Sequence, residues 1–308
     1  MIETRLIPLP HGISLSCRMA GQPGRPVLMF LHGFPEGAFV WDTLLAHFAK
    51  PENGAYFCIA PNLRGFEKSS APPEVDAYRP KYLMQDIAAL VAAVCPYDKR
   101  QLECLVAHDW GGAIAWNLAA AMPQLMKKLA IINSPHPGTF LRELQDSPAQ
   151  QAASAYMNFL IRPDAEALLA KDDFRRLWQF LTNGSDHPPA WLTDSVRDQY
   201  REVWRAGLTG GCNLYRASPL RPPRPGPPYN DPAAAAVTLA RERLMVLLPT
   251  LAIWALDDIA LPPALIDGLA DYVPDMQLQQ VAGASHWIVH EQPERVAGYL
   301  QDFLGHAR

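Results

Sequence analysis

Long apolar runs, paired cysteines and an excess of either charge are all missing from this chain of 308 residues. With no apolar run near the roughly 20 residues needed to cross a bilayer, no membrane span is expected. The five cysteines, Cys17, Cys58, Cys95, Cys104 and Cys212, are scattered, odd in number and free of C-x-x-C spacing. That argues against a disulfide framework or a zinc site, and makes free thiols in a reducing compartment the default. The 27 basic and 31 acidic residues nearly cancel, to a formal charge of -4. Such a balance leaves no electrostatic footprint for nucleic acid or an anionic membrane, so neither partner is expected. Residues 1–6 lack the long apolar core of a signal peptide, which makes a cytoplasmic location the expectation. There are no internal repeats.

What is present is an ordinary globular composition, 49% apolar and 19% charged. A chain this long can bury roughly three quarters of its unfolded surface, as one large domain or as a core with an inserted lid. Short apolar runs at residues 5–8, 13–17, 27–31, 56–60, 102–106, 129–132, 250–254 and 277–281 read as strands. The first two flank Pro10-His11-Gly12 as an opening hairpin, and the third to fifth are nearly continuous apolar runs of the kind found in parallel strands covered on both faces. Helical patterning covers residues 41–48, 82–94, 112–122 and 293–304. Alternating strands and helices predict an α/β fold with a mostly parallel eight-stranded sheet flanked by helices. Over a hundred residues between the sixth and seventh runs carry helical patterns, at 152–159, 173–181 and 195–204, but no convincing strand. The expected organisation is therefore a first core segment at 1–136, a helical lid at 137–240 and a second core segment at 241–308. The proline-rich stretch 219–229 reads as an extended return strap at the end of the lid.

The most informative stretch is Leu105-Val106-Ala107-His108-Asp109-Trp110-Gly111-Gly112. A small residue, one residue, a candidate nucleophile, one residue and a small residue describe a strand-to-helix turn that projects one side chain above the sheet. Here that side chain is Asp109. A carboxylate needs no deprotonation at neutral pH and suits displacement at a saturated carbon carrying a leaving group. The competing reading is an aspartate that only caps a helix with a glycine-rich first turn.

Three further segments bear on that choice. Leu31-His32-Gly33-Phe34-Pro35 follows the third strand, Leu256-Asp257-Asp258 the seventh, and Gly283-Ala284-Ser285-His286-Trp287 the eighth. Each could be a simple strand-end turn. Together they place a nucleophile, an acid and a histidine in that chain order.

With these motifs the chain resembles the epoxide hydrolase and haloalkane dehalogenase branch of the α/β-hydrolases, carrying His-Gly-Phe-Pro-Glu, His-Asp-Trp-Gly-Gly and Ser-His-Trp. The resemblance spans the core and weakens in the lid. It implies Asp109 as nucleophile and His286 as the base that activates water, with an aspartate holding its other nitrogen. The family spacing Trp-Gly-x-x-Asp, laid on Trp254-Ala255-Leu256-Asp257-Asp258, selects Asp258 over Asp257. The backbone N–H groups of Phe34 and Trp110 would form the oxyanion hole, and a cis bond before Pro35 is expected. His32, Pro35, Trp110 and Trp287 are expected to contact substrate. Asn62-Leu63-Arg64-Gly65-Phe66-Glu67-Lys68-Ser69 resembles the family's Arg-Gly-Tyr/Phe-Gly-x-Ser loop, with Glu67 in place of the second glycine, a departure expected to alter loop shape more than chemistry.

Within that branch the leaving group separates the activities. An opening epoxide leaves an alkoxide that needs an acidic hydrogen-bond donor, whereas a halide needs N–H donors and no proton. Halide-binding relatives often carry asparagine where Phe34 stands, and fluoroacetate dehalogenases carry arginines where Trp110 and Ala113 stand. Tyr156-Met157-Asn158-Phe159 and Asn213-Leu214-Tyr215-Arg216 resemble the two lid-tyrosine regions of epoxide hydrolases. The expectation is an epoxide hydrolase acting on a small-molecule epoxide without metal or cofactor, as a monomer or homodimer, with Asp109, His286, Asp258, Tyr156 and Tyr215 catalytic. A haloalkane or haloacid dehalogenase using the same Asp-His-Asp set, and a non-enzymatic receptor on this fold, are the alternatives. His108, Asn133 and His136 are expected to hydrogen-bond behind the catalytic groups and shape the lid entrance.

Overall fold

The computed structural model describes residues 1–95, 100–185, 187–224 and 231–305. Its strands are β1 (Glu3–Pro8), β2 (Ser14–Ala20), β3 (Val27–Leu31), β4 (Phe57–Pro61), β5 (Cys104–His108), β6 (Leu129–Ile132), β7 (Thr250–Ala255) and β8 (Met276–Val281). They form one sheet in the order β1-β2-β4-β3-β5-β6-β7-β8. β1 and β2 pair antiparallel, β2 runs antiparallel to β4, and the remaining neighbours are parallel. Every residue of β3, β4, β5, β6 and β7 is buried, because helices cover both faces of a parallel sheet. β3 sits between β4 and β5, so the chain leaves it first to one side and then to the other. A crevice opens at such a switch point, outside the carboxyl ends of the strands.

The helices are α1 (Asp42–Phe48), α2 (Pro80–Val94), α3 (Asp109–Ala121), α4 (Pro137–Asp146), α5 (Pro148–Ala153), α6 (Ala155–Leu160), α7 (Ala165–Leu181), α8 (Asp194–Ala206), α9 (Thr209–Ala217), α10 (Ile288–Glu291) and α11 (Pro293–Leu304). α4 through α9 lie between β6 and β7 and cover the crevice. Among the described residues, no helix is long and apolar enough to cross a membrane.

Several elements differ from the sequence expectations. β5 starts two residues later than the apolar run suggests, since Leu102 makes only an isolated bridge to Met126, and it continues through the polar His108. α3 then begins at Asp109, three residues before the first expected helical position. The helix expected at 152–159 is two helices, α5 and α6, divided at Ser154. α7 begins earlier than expected and is kinked, with Asp172, Asp173 and Phe174 at positive φ. α4 and α9 escape the sequence pattern because one opens on Pro137-Gly138 and the other on Thr209-Gly210-Gly211, composition that reads as turn. Residues 225–229 of the expected strap lie outside the described residues. On its near side the Arg224 N–H donates to the Asp231 carbonyl at 3.1 Å, and Arg221 pairs with the Asp231 carboxylate at 2.5 Å.

The 62–69 loop is tied down from both ends. Arg64 makes a bidentate pair with Asp86 of α2, at 2.8 and 2.6 Å. Glu67 takes a φ of 50°, a left-handed conformation in which glycine has no side chain to clash. Its carboxylate accepts from Ser16 at 2.7 Å and Asn62 at 2.6 Å, contacts that offset the strain.

Candidate active site

The crevice is built from four loops at the carboxyl ends of strands. After β5 the chain turns so sharply that Asp109 has φ 48°, a region open to aspartate more readily than to most L-residues. A Cβ at Gly111 would strike the Leu31 carbonyl of β3, so only glycine lets α3 start this close to the sheet. Ser134 donates to the Asp109 carbonyl at 2.7 Å, which satisfies the oxygen that the turn exposes. The helix-cap reading does not hold: His108 occupies the cap position of α3 and no side chain caps it. Instead the Asp109 carboxylate faces the β3 loop, where the Phe34 N–H donates to Oδ1 at 2.8 Å. A Cβ at Gly33 would overlap that carboxyl group. The Phe34–Pro35 peptide is cis.

His286 approaches from the β8 loop, its Nε2 3.6 Å from Asp109 Oδ2. Its Nδ1 lies 2.6 Å from Asp258 Oδ2, and Asp258 Oδ1 accepts from the Ala260 and Leu261 N–H groups at 2.9 and 3.0 Å. Asp258 is buried, while Asp257 is exposed and turned away. Burial works against a charged His286, but the charge of Asp258 and the hydrogen bonds and charge of the flanking carboxylates outweigh it. The imidazole is thereby held well above the usual histidine range.

Tyr156 of α6 and Tyr215 of α9 hang over Asp109. The Tyr215 ring packs edge-on against Phe34 at 5.4 Å, Trp110 at 4.9 Å and Tyr156 at 6.0 Å. Burial, then neighbouring groups that include the Asp109 carboxylate, pushes both phenols well above the usual tyrosine range, so both stay protonated donors. α9 is anchored beside them, since Arg216 forks onto Glu166 of α7 at 2.5 and 2.7 Å.

Asp109, Tyr156 and Tyr215 line two chambers at once. One, of about 200 Å³, runs past Trp110, Met157 and Leu214; the other, of about 520 Å³, runs past Pro35, Phe159, His286 and Trp287. Pro35, Trp110 and Trp287 line these cavities. His32 does not, which corrects its assignment as a substrate contact. It is fully buried, its Nδ1 donates to the Gly33 carbonyl at 2.8 Å and its Nε2 accepts from the Leu63 N–H at 3.0 Å. Both ring nitrogens are spent on backbone, and the imidazole shapes the loop from behind.

Glu36, Tyr200 and His290 carry no role in the sequence expectations. Glu36 is 1% exposed, and its Oε2 is 2.9 Å from His108 Nδ1. His108 Nε2 is 3.0 Å from the His286 carbonyl. His108 therefore bridges the Glu36 carboxylate and the His286 carbonyl through its two ring nitrogens. Burial alone would raise the Glu36 carboxyl, yet the charge and hydrogen bond of His108, helped by His290 and His286, hold it down at about 2. Tyr200 of α8 donates to Glu36 at 3.4 Å and contacts His290 Nε2 at 2.8 Å. The His286 carbonyl also accepts from Asn133 at 3.1 Å, so His108 and Asn133 fix the loop that carries His286. His136, by contrast, caps α4 and meets the Leu244 carbonyl at 3.0 Å. The one signal of this cluster in the sequence is Glu36 itself, an acid in an otherwise apolar segment.

These groups set a pH profile for stability. Burial pushes His32, His136 and His290 down to about 4. Below the unfolded value of about 6.5 the unfolded chain takes up protons that the native one refuses, so stability falls with acidification, with a slope approaching about 4 kcal/mol per pH unit for three protons. His286 is shifted the other way: its contribution is complete below about 6.5 and is lost as the pH rises through its folded value. Scanning calorimetry across the range should show maximal stability near pH ~6.5, and a melting temperature that stays flat on acidification would contradict it.

A family model described as the alpha/beta hydrolase fold matches residues 26–293. The Bacillus subtilis "AB hydrolase superfamily protein YfhM" is 32% identical over 298 residues, 96% of this chain and 95% of that protein. Mouse "Epoxide hydrolase 4" is 30% identical over 293 residues, covering 92% of this chain and 74% of the relative. Among solved structures, one from a study of novel epoxide hydrolases in metagenomes from hot environments superposes with a TM-score of 0.84 at 35% identity, over 99% of this chain and 100% of the other. A point mutant of an epoxide hydrolase from Bacillus megaterium does so with 0.84 at 27% identity, over 97% and 99%.

Proposed function

Because the chain belongs to the α/β-hydrolase family, we propose that it is an epoxide hydrolase working through an ester of Asp109, with segment 137–240 as its lid. The observation that carries this is the position of Asp109: one carboxylate oxygen is held by the Phe34 N–H at 2.8 Å, the other faces His286, and two protonated phenols stand opposite. The mechanism follows from that arrangement. A carboxylate oxygen attacks one ring carbon, that carbon's bond to the epoxide oxygen breaks, and the departing oxygen takes hydrogen bonds and a proton from Tyr156 and Tyr215.

Esterification removes the negative charge of Asp109, one of the causes that hold His286 protonated. The imidazole then gives up its proton, which restores the phenol deprotonated in ring opening, and serves as base. It takes a proton from water as the water oxygen adds to Asp109 Cγ. The oxyanion is stabilised by the Phe34 and Trp110 N–H groups. Collapse breaks the bond from Cγ to the alkoxy oxygen, the alkoxide takes the proton held by His286, a vicinal diol leaves, and the proton left on the Asp109 carboxyl returns to the imidazole. Buried Asp258 keeps the ring in register and stabilises its charged form.

In water carrying heavy oxygen, a single turnover should leave the label in Asp109 and release unlabelled diol, with labelled diol only in later turnovers. Direct appearance of label in the first diol would overturn the ester mechanism. The same assay, run with haloalkanes, separates this reading from a dehalogenase.

A further inference from the structure

The turn that carries Phe34 is fastened to the lid by a chain of hydrogen bonds. In a trans peptide the C=O of one residue and the N–H of the next lie in one plane, so a bond to either end fixes the direction of the other. The peptide from Gly33 to Phe34 presents the Phe34 N–H to Asp109 Oδ1 at 2.8 Å. Its Gly33 carbonyl accepts from the Glu36 N–H at 3.1 Å and from His32 Nδ1 at 2.8 Å. The peptide from Pro35 to Glu36 has its Pro35 carbonyl bonded in turn by the Trp204 indole N–H of α8, at 2.7 Å. The indole, two peptide units and the Asp109 carboxylate thus form one continuous line of donors and acceptors.

The links of this line lie out of water. Phe34 is 5% exposed, Glu36 1% and Trp204 2%. In such surroundings each hydrogen bond polarises the next, by roughly 10–30% per bond. The indole has little freedom, because its ring packs against Trp178 at 4.4 Å, Tyr200 at 5.3 Å and Phe174 at 5.4 Å. The backbone on either side of the turn is equally close to the lid: a Cβ at Gly37 would strike Val203 of α8, and one at Gly211 of α9 would strike the Phe34 ring.

We infer that Trp204 is a positioning residue for the oxyanion hole, aligning and polarising the Phe34 N–H through two peptide units, so that α8 of the lid sets the strength of a donor it does not touch. Its effect on rate rests on the epoxide hydrolase reading, whereas the hydrogen-bond relay belongs to the resting protein. The Phe34 N–H meets a charge shared between two oxygens in the resting carboxylate, and a charge concentrated on one oxygen when water has added to the ester. A weakened donor therefore costs more in ester breakdown than in ester formation. Removing an oxyanion donor outright costs about 10²–10³ in rate. Losing the polarisation that one link supplies should slow ester breakdown by roughly threefold to tenfold.

Two replacements remove the donor: Trp204→Phe, and the benzothiophene analogue of tryptophan placed at 204, which keeps both rings and carries sulfur instead of N–H. In protein made with isotopically labelled phenylalanine, the Phe34 amide, recognised by its loss in Phe34→Tyr, should show its proton resonance moved upfield by either replacement. Trp178→Phe, which opens the same aromatic cluster and keeps the Trp204 N–H, should leave that resonance in place. A resonance unmoved by both Trp204 replacements, or moved equally by Trp178→Phe, overturns the relay. Rapid-mixing measurements with styrene oxide should show ester breakdown slowed roughly threefold to tenfold by the same replacements, with ester formation changed less than about twofold. Equal slowing of both steps, as a loosened fold would give, or no slowing of either, overturns the role in the oxyanion hole. A moved resonance in a protein that forms no ester with styrene oxide or an aliphatic epoxide refutes the hydrolase reading alone, whereas ester turnover with an unmoved resonance refutes the relay alone.

Discussion

Replacing His286 with glutamine is expected to stop the protein at the alkyl ester. Substrate should be consumed to one equivalent, a peptide containing Asp109 should gain the mass of the intact epoxide, and steady-state diol release should fall by at least about a thousandfold. In the proposed mechanism the two halves of the reaction use different groups. Ring opening draws on Asp109 and the two phenols, none of which depends on the imidazole for its proton. Ester hydrolysis needs a base within reach of Asp109 Cγ, and His286, 3.6 Å from Oδ2, is placed for that role. Glutamine keeps a polar group near Asp258 but cannot accept and return a proton. Sustained turnover by His286→Gln at a rate near the parent's would remove His286 from the mechanism.

Replacing both lid tyrosines, Tyr156→Phe with Tyr215→Phe, is expected to slow ester formation by about 10³-fold or more. Each single change should cost less, because the remaining phenol can still donate to the departing oxygen, and the two effects should therefore not add. The change leaves both rings in place, so the edge-on packing of Tyr215 against Phe34 and Trp110 is retained. Rapid-mixing measurements of the adduct should show slow formation with little change in its breakdown. A double variant that forms the ester at the parent rate would show that the alkoxide is stabilised elsewhere.

The catalytic candidates were legible because chemistry-bearing residues ended predicted strands in a telling order. Asp109, Asp258 and His286 each follow a short apolar run, and all three converge in the structure. Glu36 was less legible. An acid two residues after Phe34 looks like a loop residue, and only packing brings it to His108, whose sequence position is 72 residues away. His32 failed in the opposite direction. Its place in a recognisable motif suggested substrate contact, yet hydrogen bonds to Gly33 and Leu63 turn it into the loop's interior.

By itself the sequence determined the α/β alternation, the order of nucleophile, acid and histidine, and the pair of tyrosines between β6 and β7. Those features depend on local pattern: a parallel strand buried on both faces must be apolar, and a sharp turn must have small neighbours. The tertiary structure supplies the reason why Asp258, the aspartate that the family spacing selects, and not Asp257 meets His286, and only it decided that His108 and Glu36 hold the loop behind that histidine and that the cavity divides into two chambers. Adjacent aspartates differ in which way their side chains face, a buried pair is defined by desolvation and hydrogen-bond geometry, and the space above Asp109 depends on how α6, α7 and α9 pack over the sheet. None of these is a property of neighbouring residues along the chain, and each is set by contacts between segments far apart in it.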